Sequence, residues 1–148
     1  MSEQQETLHP FDIKAALLAK HAQHVVVIHF PIALFIAGVA FDFAAQWTKR
    51  QFLAAAAYCN LLAAAVVTVP VLITGVLAWQ WQLEGQRLKG VLLMHLVLAW
   101  ASSLLIWAVC LVHVRAQRGV LPSYRLPIEA LGVGLVTLTG HLGGFLSG

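Results

Sequence analysis

Residues 51–83, QFLAAAAYCNLLAAAVVTVPVLITGVLAWQWQL, contain no Asp, Glu, Lys or Arg. Three other windows of the chain are also free of these charged residues, at 21–41, 90–114 and 130–148. Each window is close to the roughly 20 residues that a helix needs to cross a hydrocarbon core about 30 Å thick. The sequence therefore predicts an all-α integral membrane protein with four spans.

The composition supports this prediction and excludes other classes of protein. Of the 148 residues, 60% are hydrophobic and only 10% are charged, whereas a soluble domain carries about 25% charged residues. The formal net charge is +3, but the basic residues are scattered between the apolar windows and form no stripe that would bind nucleic acid. Four spans leave little chain over, so residues 1–148 are expected to form a single domain in contact with the lipid bilayer.

The connections between the windows are short, which favours antiparallel neighbours and an up-down-up-down four-helix bundle. The predicted spans cover about residues 25–43, 52–77, 91–114 and 128–146. Residues 1–24 form a polar, interfacial N-terminal segment in which a short amphipathic helix is predicted. The first and third connections contain five Lys and Arg residues, and the side of the termini contains four. The positive-inside rule therefore favours termini outside the cytoplasm. The expected location is a bacterial inner membrane.

Seven histidines are an excess in a chain this poor in polar groups. His29, His95 and His141 lie at similar depths in three different predicted spans, and His24 lies at the membrane boundary just before the first span. A polar side chain in lipid must face the protein interior and find a partner. Two histidines on facing helices are what a haem b needs for axial ligation, and imidazole groups also bind copper or zinc. A proton relay, a polar substrate site and purely structural hydrogen bonds are the remaining interpretations.

The other polar residues of the spans are expected at the opposite end of the bundle. His113 lies about 27 Å further along the third span than the predicted histidine cluster, which is too far to share a cofactor with it. Asp42 and Glu129 are interpreted as interface anchors that nearby basic residues neutralise. Cys59 and Cys110 show no ligand spacing and are assigned to packing.

Several short stretches resemble one known membrane family. They are HVVVIHFPIAL at 24–34, TG at 74–75, the histidine early in the third span at 95, and GHLGGFLSG at 140–148. Together they resemble the four-helix family catalogued as unknown-function domain 2231, and the resemblance covers about residues 20–148. This module occurs fused to Rieske iron-sulfur or cytochrome c domains, so the resemblance implies a role in electron transfer.

The resemblance also singles out particular residues of this chain. The positions that carry over are His24, His29, His95, Gly143 and Gly144, whereas His141 matches only some members of the family. Val25 departs from the pattern, because many members have a proline after the first histidine.

The function predicted from these observations is a membrane electron-transfer subunit that binds one haem b near the surface on the side of the termini. Its axial ligands are drawn from His29, His95, His141 and His24, and its partner is a redox protein or a larger membrane complex. The chain is expected to be a redox or structural subunit more than a free-standing enzyme. The alternatives are a structural or assembly subunit without cofactor, and a copper- or zinc-handling membrane protein bound through His29, His95 and His141.

Overall fold

The computed structural model describes residues 20–81, 87–117 and 119–147, with the backbone alone for residues 20–25, 81 and 147. These residues form four helices and no strand: α1 (Lys20–Thr48), α2 (Gln51–Trp81), α3 (Gly90–Ala116) and α4 (Arg125–Ser147). All four are long and apolar enough to cross a membrane. The predicted all-α membrane fold is confirmed, whereas residues 1–19 of the predicted interfacial segment lie outside the described residues.

The turn between α1 and α2 shows why neighbouring helices are antiparallel. α1 ends at Thr48, and the next residue, Lys49, adopts a left-handed backbone with φ 58°. Its backbone N–H donates to the carbonyl of Ala45 at 2.8 Å. This single residue closes the helix in the manner of an αL cap. α2 begins only two residues further on, at Gln51, so the chain has no room to cross the bundle before it turns back.

The helices form a four-membered ring in which α1 contacts α2 and α4, and α3 contacts the same two helices. Close approaches between backbones occur where one helix has a glycine. A Cβ atom at Gly38 would lie 2.8 Å from a side-chain carbon of Leu61, and one at Gly132 would lie 2.8 Å from the ring of Phe35. The structure thus confirms the predicted four-helix bundle, and small residues set the spacing of α1 against both neighbours.

Burial is concentrated in one half of the bundle. Phe35, Leu61, Ile106, Val109 and Val136 belong to the buried apolar core. Towards the ends where α1 meets α2 and α3 meets α4, burial continues with side chains such as Ala45, Ala57 and His113. We call this half the packed half. No described side chain is buried at positions 26–30, 69–80, 90–101 or 140–146, which we call the unburied half. The four helices therefore pack tightly at one membrane face and leave their inner surfaces partly uncovered at the other.

Candidate functional site

His95 is the predicted ligand that the structure turns towards another helix. Its half-buried ring lies on α3, and Nδ1 is 3.2 Å from the backbone carbonyl oxygen of Thr139 on α4. A carbonyl oxygen only accepts hydrogen bonds, so Nδ1 carries the ring proton and donates it to Thr139. In the neutral imidazole, Nε2 then keeps a free lone pair, which is the form of histidine that binds a metal.

The surroundings of His95 hold the ring in this orientation. A Cβ atom at Gly143 would lie 3.0 Å from Cε1 of His95, closer than an ordinary van der Waals contact, so glycine lets the ring approach α4 closely. The hydroxyl groups of Ser102 and Thr139 are 2.8 Å apart, and the Thr139 hydroxyl also donates to the carbonyl of Leu135 at 2.8 Å. Thr139 is therefore fixed from two directions, which fixes in turn the carbonyl that orients His95.

His29 and His141 are both exposed in the single chain. A Cβ atom at Gly140 would lie 3.1 Å from the side chain of Ile32, so α1 and α4 are in register here and His29 lies about one turn from that contact, towards the N-terminus of α1. The side chain of His24 lies outside the described residues. The structure thus places His29, His95 and His141 in the unburied half, but it does not bring their ring nitrogens together as a group of three within 4.8 Å. Their binding of haem or metal stays a prediction.

A second polar site lies in the packed half, where α1 is tied to α4. Nε of Arg125 donates to Oδ2 of Asp42 at 2.7 Å, and a terminal nitrogen of Arg125 lies 3.4 Å from Oδ1 of Asp42 and 3.4 Å from Oε1 of Gln46. Arg125 also donates to the carbonyl of Pro122 at 3.2 Å. Both charged side chains are buried, so this is an ion pair shielded from water.

The same site ties α3 to α4. Nε2 of His113 is 2.8 Å from Oε1 of Glu129, and both residues are buried. The second carboxyl oxygen of Glu129, Oε2, is buried without a hydrogen-bond partner among the described residues. Ligand-type atoms of Asp42, His113 and Glu129 all lie within 4.8 Å of one another, which makes this the one such group of three in the described part of the chain. We call Asp42, His113, Arg125 and Glu129 the charged cluster.

The charged cluster corrects the interpretation of Asp42 and Glu129 as interface anchors. Their exposed fractions are 1% and 0%, and each is paired with a residue of another helix. The signal was present in the sequence, because both carboxyl groups fall inside predicted spans and an ionisable residue there needs a partner. His113 does lie at the opposite end from His95, as predicted, and its partner is Glu129.

The two polar sites are separated by an apolar layer. Glu129 and Thr139 lie on the same helix about 15 Å apart. The space between their levels is filled by buried apolar side chains, among them Phe35, Ile106 and Val136. The site at His95 and the charged cluster therefore do not share a hydrogen-bond network among the described side chains, and each must be interpreted by itself.

These features define a class of protein, a four-helix integral membrane protein with a polar site in each half of its bundle. Residues 20–147 match the family described as "Predicted membrane protein (DUF2231)", and the chain belongs to this family. The resemblance inferred from the sequence motifs is thereby confirmed. No curated protein and no solved structure matches the chain.

Proposed function

We propose that this membrane protein is an electron-transfer subunit that binds one haem b in the unburied half, with His95 as one axial ligand. The observation that carries the proposal is the contact between Nδ1 of His95 and the carbonyl of Thr139 at 3.2 Å. Histidines that ligate a metal almost always donate their other ring N–H to such an acceptor, which fixes the ring and makes it more basic. When bound, the haem would supply a reversible one-electron change at its iron.

The unburied half also suits a large apolar group. Most described positions of α2, α3 and α4 there are apolar or small and none is buried, so these helices retain surface for a porphyrin to cover. His29 lies on α1, diagonal to α3 in the ring of helices, and is our first choice for the second axial ligand. His141 and His24 complete the candidate set. The protein's own task is to orient the ligands and to keep water from the bound group.

The proposal includes a redox partner and a location. An electron-transfer subunit without a substrate site needs a second redox protein, or a larger membrane complex, to deliver or accept its electron. The proposed location is a bacterial inner membrane, and the Lys and Arg distribution favours termini outside the cytoplasm. Haem near the terminal side would then be close to a partner at the outer face.

The test measures the haem content of the purified protein and of two variants at His95. Protein from cells supplied with a haem precursor is expected to show a b-type α band after reduction with dithionite, with one haem per chain. His95→Leu is expected to abolish the band. His95→Met, of similar volume, offers a thioether that can ligate haem iron, so haem is retained with a raised potential.

Ser103→Ala is the matched control, because Ser103 lies on the same helix and its hydroxyl donates to the carbonyl of Ala99 in that helix at 2.7 Å. It is expected to leave the haem content unchanged. Folded protein that neither contains haem nor binds added haemin would refute the proposal. Copper or zinc in place of iron, lost in His95→Leu, would instead establish the metal-handling alternative.

A second candidate function, that of an assembly or structural subunit, rests on the absence of buried side chains at the described positions of the unburied half. An assembly or structural subunit would cover its unburied half with another membrane protein and would need no cofactor. In that case His95→Leu lowers the thermal stability of the protein and releases no chromophore, and cross-linking from the exposed positions of α3, such as Met94 and Val97, captures the partner. The haem measurement and the cross-linking experiment together separate the two candidates.

A further inference from the structure

The charged cluster carries one net negative charge when Glu129 is ionised, His113 is neutral and no proton or cation is bound. The guanidinium of Arg125 cancels the carboxylate of Asp42, to which it donates at 2.7 Å. Glu129 as a carboxylate beside a neutral His113 would leave one net negative charge in a site where all four side chains are buried. An uncompensated buried charge is strongly unfavourable. One additional positive charge makes the cluster neutral.

The position of Glu129 indicates where that charge would be held. Its Oε1 lies 2.8 Å from Nε2 of His113, which is a hydrogen-bond distance. The single proton between them can be carried by either atom. The other oxygen, Oε2, has no partner in the described part of the chain. An unpartnered oxygen of a neutral carboxylic acid costs much less than an unpartnered carboxylate oxygen. The neutral acid, donating from Oε1 to His113, therefore fits the site better than an ion pair.

A divalent cation fits the cluster less well than a proton. Asp42, His113 and Glu129 would supply a nitrogen and two oxygens within 4.8 Å of one another. Arg125 already neutralises Asp42, however, so a divalent ion would change the net charge from −1 to +1, beside a guanidinium. A single proton brings it to zero.

The groups that form the cluster come from α1, α3 and α4, and α2 passes at the same level. α1 contributes Asp42 and the exposed amide of Gln46, and α4 contributes Arg125 in addition to Glu129. The contact between Gly38 and Leu61 places buried Ala57 of α2 at the level of Asp42. Beside it along α2 are half-buried Tyr58 and exposed Cys59, and α3 adds buried Cys110 one turn from His113. Gln46 is exposed and links Arg125 to the outside of the bundle.

We propose that Glu129 and His113 form a proton-binding site inside the membrane, which takes up one proton from the side of the α1–α2 turn and releases it to the same side. Uptake converts the carboxylate of Glu129 to the acid and changes the cluster from one net negative charge to neutral. The apolar layer beyond the cluster blocks onward transfer to His95. This site is independent of the proposed haem and would work in its absence.

The test makes Glu129 the only glutamate of the protein. The other three glutamates are Glu3, Glu6 and Glu84, and a variant with Gln at all three leaves one carboxyl to be labelled with ¹³C-glutamate. In this variant in lipid bilayers, infrared spectra between about pH 4 and pH 9 are expected to show a labelled acid carbonyl band that disappears as the proton is released. His113→Gln in this background removes the second group that shares the proton, so the midpoint is expected to shift from its value with His113 present.

Three outcomes would each overturn the proposal. An absent acid band over the whole pH range means that Glu129 is permanently ionised and the pair is structural. An unchanged midpoint in His113→Gln means that the two residues share no proton. An equimolar metal ion in the wild-type protein that is lost in Glu129→Gln means that the site holds a cation.

The experiment also covers the case in which His113→Gln does not fold. ¹⁵N-labelled histidine in the glutamate-depleted protein reports on the His113 ring without a substitution there. Its ring resonances are expected to shift with the same midpoint as the carbonyl band, since one proton links the two groups. Different midpoints would count against the proposal in the same way.

Discussion

Removing one charge from the Asp42–Arg125 pair should be far more damaging than removing both. The exposed fractions of the two side chains are 1% and 4%, and Nε of Arg125 donates to Oδ2 of Asp42 at 2.7 Å. Asp42→Asn leaves a buried guanidinium without a countercharge, and Arg125→Met leaves a buried carboxylate. Breaking a buried pair in this way costs about 3–5 kcal/mol in the free energy of unfolding.

The double variant Asp42→Asn with Arg125→Met contains neither charge. Replacement of a whole buried pair is often neutral, so we expect the double variant to lie within about 1 kcal/mol of the better single variant or above it. The coupling between the two substitutions is then at least about 2 kcal/mol, towards the upper end for side chains in contact. The pair joins α1 to α4, so its loss should appear as separation of these two helices.

Unfolding of the purified protein in detergent micelles, followed by circular dichroism, measures all four proteins of this cycle. Gln46→Ala is the matched control, because it removes only the 3.4 Å contact of an exposed amide with Arg125 and should change stability by less than about 0.5 kcal/mol. If the two single effects add to within about 0.5 kcal/mol, the charges act independently and the reasoning is wrong.

Two further predictions use glycines whose surroundings differ. Gly38→Ala places a Cβ 2.8 Å from the side chain of Leu61 and 3.2 Å from its backbone nitrogen. Unfolding in micelles should therefore show a loss of about 1–3 kcal/mol in the free energy of unfolding. Gly134→Ala is the control and should show no loss, because nothing lies within 4 Å of its Cβ. Gly143→Ala places a Cβ 3.0 Å from the ring of His95 and should lower the occupancy of the proposed haem. Gly144→Ala is the control, because its Cβ meets nothing within 4 Å, and it should leave the haem occupancy unchanged. Equal haem content in the last two variants would contradict the assigned orientation of His95.

The four spans were predictable because absence of charge over a long window is a property of the sequence alone. The helices extend beyond the predicted spans, and α1 reaches Thr48 and α4 begins at Arg125. The predicted limits lay one residue beyond Asp42 and one residue before Glu129, close to the ends of the charge-free windows. In the bundle both carboxyl groups are buried, so the helices continue past them.

The partners of buried side chains were less predictable. Depth along a helix follows from residue number, and it correctly placed His113 far from His95. Rotation about the helix axis depends on which neighbours a helix packs against, and the sequence did not reveal that His95 faces Thr139 or that His29 is exposed in the single chain. The pairing of Asp42 with Arg125 depends on the close packing of α1 on α4, because the two residues are far apart in the sequence.

The distribution of burial suggests a division of labour between the two halves of the bundle. The packed half holds its helices together with an apolar core and the charged cluster, which joins α1 and α3 to α4. With the helices tied at this end, the inner surfaces of the unburied half do not need to meet one another for the bundle to persist. They are free to be shaped around a bound group or partner, and His95 is a polar side chain there whose orientation is fixed by a neighbouring helix. For this reason a search for the function should start at His95, and substitutions in the charged cluster should be assessed first for their effect on the bundle itself.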